Sequence, residues 1–180
     1  MSTDGSILVL SGPPGAGKTT VARLLASLRP APVVHLHADD FWANIVHGAV
    51  SPYRPEADAQ NATVVRVLAG AAAGYAADGY QVLVDGVIGP WFLPPIRQAA
   101  EAAGLDLHYA VLRPDEQTAL DRGTARPDHP LTDPGPIRHM HRQFADLGEL
   151  ESHVLDSSLL DSTATVDAVL LGLADGRFRL

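Results

Sequence analysis

Gly12-Pro13-Pro14-Gly15-Ala16-Gly17-Lys18-Thr19 fits the pattern G-x-x-x-x-G-K-[ST]. Each residue type in it has a chemical task. The glycines let successive backbone N–H groups turn inward around a phosphate. Lys18 brings a point charge to the outer phosphates, and the Thr19 hydroxyl is a Mg²⁺ ligand. Thr20 continues into a helix whose positive dipole end adds to the same spot. The setting agrees with the motif. Ile7-Leu8-Val9-Leu10 precedes it as a short buried strand, and Val21, Leu24, Leu25 and Leu28 follow at helical spacing. Lys18 is the only lysine among 13 lysines and arginines, so a chain that otherwise uses arginine keeps a lysine here.

Around this loop the chain alternates strands and helices. Strands are expected at 7–11, 33–37, 81–84, 107–112 and 153–155. Helices are expected at 18–28, with Pro30 and Pro32 ending it, then at 56–77, 94–103, 115–122, 137–144 and 163–173. Segment 43–55 reads as irregular, and 123–136 as a Pro/Gly-rich loop. Alternation of this kind predicts an α/β fold with a mostly parallel sheet and right-handed crossovers, in one domain over 1–180. Ligands of such sheets bind at the C-terminal ends of the strands. That rule selects the phosphate loop, Asp39 and Asp40, Asp85, Arg113, and the run 156–158.

Phosphoryl transfer to a hydroxyl needs a group that takes the proton and orients the oxygen. Asp39 and Asp40, at the tip of the second strand, offer that carboxylate. Asp39 is favoured as the base, while an Asp here also suits a helix N-cap. Asp85 ends the apolar strand Val82-Leu83-Val84 in the Walker B manner, an acid reaching the Mg²⁺ shell; its alternative role is to cap the turn into Gly86. Arg122 and Arg126 are four apart, as are Arg138 and Arg142, with a Pro/Gly segment between the pairs. Arginines flanking flexible backbone suit a lid over about 122–142 that closes on phosphates. Trp42, Trp91 and Phe92, expected in loops, together with Val87, Ile88 and Leu93, suit an apolar acceptor wall. His47, Tyr53 and Arg54 fall in the irregular segment after the second strand, within reach of a substrate. The histidines 35, 37, 47, 129, 139, 141 and 153 lack the spacing of a zinc site.

Composition narrows the function classes. A net charge of −8 argues against a nucleic-acid surface. With no cysteine there is no disulfide, thiol nucleophile or Cys-ligated metal. No basic region followed by a long apolar run opens the chain, and no run is long enough to span a membrane, so a cytoplasmic protein is expected.

The phosphate loop, Asp39-Asp40-Phe41, Asp85-Gly86 and Arg122-Gly123-Thr124-Ala125-Arg126 together resemble the small P-loop kinases, and among these most nearly the chloramphenicol phosphotransferase-like proteins. The resemblance covers nearly the whole chain. It implies a P-loop NTPase fold with a five-stranded parallel sheet in the order 2-3-1-4-5. It matches Asp39 to the catalytic base, Lys18 and Thr19 to the phosphate and Mg²⁺ ligands, and Arg122 and Arg126 to lid arginines. The run 153–158 resembles the strand and loop that pass the adenine. The activity implied is ATP-dependent phosphorylation of a hydroxyl on a small molecule. Segments 43–55 and 87–95 have no counterpart in that resemblance, and they choose the acceptor. Two other functions stay open: a nucleoside or nucleotide kinase, and a small regulatory ATP-binding protein with no small acceptor. A guanine-reading Asn-Lys-x-Asp motif is impossible with one lysine.

Overall fold

A strand that is apolar on both faces belongs in the middle of a sheet, and β1 (Ser6–Ser11) is buried along nearly its whole length. The computed structural model describes residues 5–29, 32–125 and 131–180. Pro30, Arg126 and His129 lie outside these residues, and so do the expectations attached to them. The strands are β1, β2 (Val33–His37), β3 (Gln81–Asp85), β4 (Asp106–Leu112) and β5 (Val154–Leu155). They form one five-stranded sheet in the order β2-β3-β1-β4-β5, with every neighbouring pair parallel.

Seven α-helices are seen among the described residues: α1 (Lys18–Ser27), α2 (Ala38–Ala43), α3 (Asp58–Ala77), α4 (Leu93–Ala102), α5 (Glu116–Thr124), α6 (Pro134–Gln143) and α7 (Ser162–Ala174). The pleat sends alternate strand residues to opposite layers. Ile7, Val9, Val82 and Val84 pack with Leu68, Ala72 and Ile96 of α3 and α4. Leu8, Leu10 and Leu83 pack with Val21 and Leu25 of α1 and Val166 and Val169 of α7. Each fully buried Leu, Ile or Val contributes about 1.5–3 kcal/mol, so the two layers hold the sheet, and with it the strand ends, in place.

The structure differs from the sequence reading at a few ends. Residues 38–43 form a short helix, so Trp42 is helical rather than in a loop; His37 takes the N-cap position, and Asp39 and Asp40 sit in the first turn, where the helix dipole favours acids. Trp91 and Phe92 lie in a 3₁₀ turn, Pro90–Phe92. Helix α6 begins at Pro134 rather than 137, because the Asp133 side chain caps it by accepting the Gly135 N–H and proline is tolerated in a first turn.

Candidate functional site

Residues 12–19 form a tight loop between β1 and α1. Gly15 has φ +83, and a Cβ there would run into the Ala119 carbonyl of α5, so only glycine fits. Gly17 has φ +84 at the N-cap of α1. Lys18 is buried and curls back, its Nζ donating to the Pro13 carbonyl at 2.8 Å. The lysine thus braces the loop that presents it.

β3 lies beside β1, with Asp85 level with Leu10, and this brings Asp85 to the start of α1. The Thr19 hydroxyl donates to Asp85 Oδ2 at 2.5 Å. On its other side β3 pairs with β2, with His37 level with Asp85. Two histidines on one face of β2 converge on the same carboxylate: His35 Nε2 lies 2.6 Å from Oδ1, and His37 Nδ1 lies 3.1 and 3.2 Å from the two oxygens. A carboxylate only accepts, so each ring nitrogen facing it carries the proton. Asp85 is fully buried. Burial pushes its carboxyl up, but the hydrogen bonds from His35, His37 and Thr19 outweigh that and hold it well below the ordinary carboxylate range. The bond to Asp85 in turn raises the His37 pKa above its usual value, against the opposing effect of burial. The second ring nitrogen of His37 stands 3.7 Å from Asp39 Oδ2. His37 therefore bridges the two carboxylates at the strand ends. Sequence reasoning weighed His35 and His37 only as zinc ligands. Their alternate positions on the strand flanking Asp85 were the signal available.

A cleft of about 1330 Å³ runs across these strand ends. One half is walled by Gly15, Lys18, Thr19, Thr20 and Arg122, the other by Trp42, Tyr53, Val87, Trp91 and Phe92, with His37 and Asp39 also on its wall. Asp40 is absent from that wall, as is His47. The aromatic rings form a ladder: Trp42 lies 6.2 Å from Phe92, Phe92 6.0 Å from Trp91, and Trp91 5.7 Å from Phe144. Ile88 and Leu93, expected in the same wall, belong to the core instead.

Arg122, in the last turn of α5, lies within 3.4–3.5 Å of the carbonyls of Ser157, Ser158 and Leu160, so it ties the loop after β5 to the cleft wall of which it is part. Arg138 and Arg142 face Glu116 at 3.6 and 3.9 Å, and α6 turns His139, Met140 and Gln143 to the cleft in their place. Arg113 grips Glu151 with both guanidinium NH₂ groups, at 2.8 and 2.9 Å, and bonds the Phe144 carbonyl. It is a brace at the end of β4, away from the cleft wall.

The donor set suits a magnesium nucleotide. A hydroxyl and a carboxylate are the hard oxygen ligands that Mg²⁺ takes, and a glycine-built turn with a lysine suits its phosphates. Among the described residues no group of three or more His, Asp or Glu side chains forms a cage of its own for a metal, and no helix is long and apolar enough to cross a membrane.

A family model described as AAA domain matches residues 7–147, most of the chain. No curated protein sequence matches it significantly. Solved structures do. The Deinococcus radiodurans tunicamycin resistance protein superposes with a TM-score of 0.68 at 15% identity, covering 94% of this chain and 95% of that one. A gluconokinase from Sinorhizobium meliloti 1021 gives a TM-score of 0.70 at 20% identity, over 98% and 95%. The Mycobacterium tuberculosis APS kinase, in complex with AMPPNP and APS, gives 0.66 at 19% identity, over 95% and 98%. The sheet order and the phosphate loop are those of the small P-loop kinase fold.

Proposed function

This chain belongs to the AAA-domain family, and we propose that it is an ATP-dependent phosphotransferase that moves the terminal phosphoryl group of ATP to a hydroxyl of a small molecule. One observation carries the reading: a single cleft joins the phosphate loop, a carboxylate free to face an acceptor, and an aromatic wall that phosphates do not need. The Asp39 side chain is 61% exposed and lines the cleft together with His37.

In this reading the backbone N–H groups of 12–19 and Lys18 hold the phosphates, with Thr19 and Asp85 as the Mg²⁺ ligands. When bound, Mg²⁺ offsets charge on the phosphates. The acceptor rests on the Trp42–Phe92–Trp91 wall with its hydroxyl turned to Asp39. Asp39 accepts the hydroxyl proton as the oxygen forms its bond to the phosphorus, and the bond to the leaving ADP oxygen breaks in line. Lys18 and Arg122 stabilise charge on the moving group. Arg126 fills the second arginine position of the resemblance, with 122–142 as the lid that excludes water. The protein acts as one domain in the cytoplasm, without nucleic acid or membrane, in keeping with its charge of −8.

The test is ADP release with Mg-ATP over a panel of hydroxylated antibiotics, sugars, sugar acids and nucleosides. We expect a signal that depends on one acceptor class, falling about 10²–10⁴-fold in Asp39→Asn and persisting in Asp40→Asn, with nucleotide affinity kept in both. A nucleoside as the active class would identify a nucleoside kinase. Steady hydrolysis with a flat panel, or loss of ATP binding in Asp39→Asn, would overturn the proposal.

A further inference from the structure

The acceptor half of the cleft is held together by a side chain that the chemistry above does not use. Asn61 lies in the first turn of α3 with its side chain buried. Its Oδ1 accepts the Trp42 indole N–H at 2.8 Å, and its Nδ2 donates to the Pro52 carbonyl at 2.8 Å. The amide orientation is settled by its partners, since an indole only donates and a carbonyl only accepts. Trp42 and Pro52 belong to the two segments, α2 and the 50–55 loop, that wall the acceptor half. Next to it, Gln60 bonds both the N–H and the carbonyl of Val50, at 2.9 and 2.7 Å.

These bonds matter because little else holds the loop. Residues 51–55 are exposed throughout, so apolar burial contributes little there. The grip on Trp42 matters for a second reason. Trp42 stands three residues after Asp39 on a six-residue helix, so fixing the indole fixes the roll of α2 and the direction of Asp39. None of these bonds touches the phosphate loop.

We infer that Asn61 is the positioning residue of the acceptor half: one buried amide ties Trp42 to the 50–55 loop, sets the shape of the acceptor pocket, and governs acceptor affinity without governing nucleotide affinity. Only its kinetic consequence rests on the phosphotransferase reading.

The test uses the full chain carrying Trp91→Phe, which leaves Trp42 as the sole indole of the two in the sequence. Asn61→Leu and Asn61→Asp are compared with this parent by acrylamide quenching of Trp42, by chymotryptic cleavage after the exposed Tyr53, and by binding of N-methylanthraniloyl-ATP with Mg²⁺. In Asn61→Leu, Trp42 becomes more quenchable and cleavage after Tyr53 accelerates about tenfold, while nucleotide affinity stays within about twofold. In Asn61→Asp the carboxylate still accepts from Trp42 but cannot donate to Pro52, so cleavage accelerates and quenching stays at the parent level. Parental cleavage in both variants overturns the inference, and so does nucleotide affinity that falls in step with loop release. If Asn61→Leu fails to fold, Asn61→Asp alone decides by the same cleavage criterion. With any acceptor the panel finds, KM rises about tenfold in Asn61→Asp and kcat changes less; a kcat loss at constant KM overturns the inference. A flat panel beside the expected cleavage and quenching results overturns the phosphotransferase reading alone.

Discussion

Replacing Asp85 by Asn tests whether the buried carboxylate supports the fold or strains it. A charge buried for function is commonly a cost, and its removal then stabilises the protein. Here the geometry argues the reverse. Three donors converge on the group: Thr19 at 2.5 Å, His35 at 2.6 Å and His37 at 3.1 Å. A hydrogen bond to a charged acceptor contributes about 1.5–3 kcal/mol. An amide at this place keeps His35 and His37 on its one oxygen and turns its NH₂ to Thr19, whose hydroxyl can accept. Three bonds to a charged acceptor thus become three neutral ones, each weaker by about 1 kcal/mol. The net cost is about 3 kcal/mol, which lowers the Tm of a domain of this length by roughly 6–12 °C.

Calorimetry without nucleotide or Mg²⁺ measures it, and pH sharpens it. The Asp85 carboxyl titrates below its ordinary 3.8 in the folded chain, so its contribution is present above about pH 4 and fades as pH falls through the folded value. His37 is raised above 6.5 by the same contact, so its contribution is complete below that pH and fades as pH rises through the folded value. The gap between wild type and Asp85→Asn is therefore widest from about pH 4 to pH 6.5. A variant as stable as wild type, or more so, within that window would refute the argument.

Two further substitutions probe the phosphate loop. Gly15→Ala places a Cβ at φ +83 against the Ala119 carbonyl; we expect a loss of about 2–3 kcal/mol in urea unfolding together with weaker nucleotide binding. Lys18→Met removes the brace to Pro13 and the charge that the proposed reading assigns to the phosphates, and should weaken N-methylanthraniloyl-ATP binding by about 10–100-fold in a fluorescence titration, with Asp85 and its histidines still folded as before.

What could be read from the sequence follows the range of the interactions involved. The strand ends were legible because apolar runs, turn residues and the strand-end rule are local signals, and they led to Lys18, Thr19, Asp39 and Asp85. The histidine clamp on Asp85 was not: the alternate spacing of His35 and His37 puts both on one face of β2, but that this face meets Asp85 depends on a register that sets His37 level with Asp85. Arg138 and Arg142 have the spacing of lid arginines, yet their face of α6 meets Glu116. Periodicity tells which residues share a face and leaves open what that face meets. Gln60 and Asn61 fall in a stretch expected only as a long helix, and their loop partners, Val50 and Pro52, lie in a segment with no pattern of its own.

The two halves of the cleft also have different ancestries within the chain. The phosphate half is nearly one continuous stretch, from Pro14 to Arg23, joined only by Arg122 of α5. The acceptor half is assembled from α2, the 50–55 loop, α3, the turn at 90–92 and α6. A substitution in any one of these pieces redraws the acceptor wall and leaves the turn that grips phosphate untouched. Under the proposed reading, acceptor choice is therefore open to change by single substitutions that leave nucleotide binding in place.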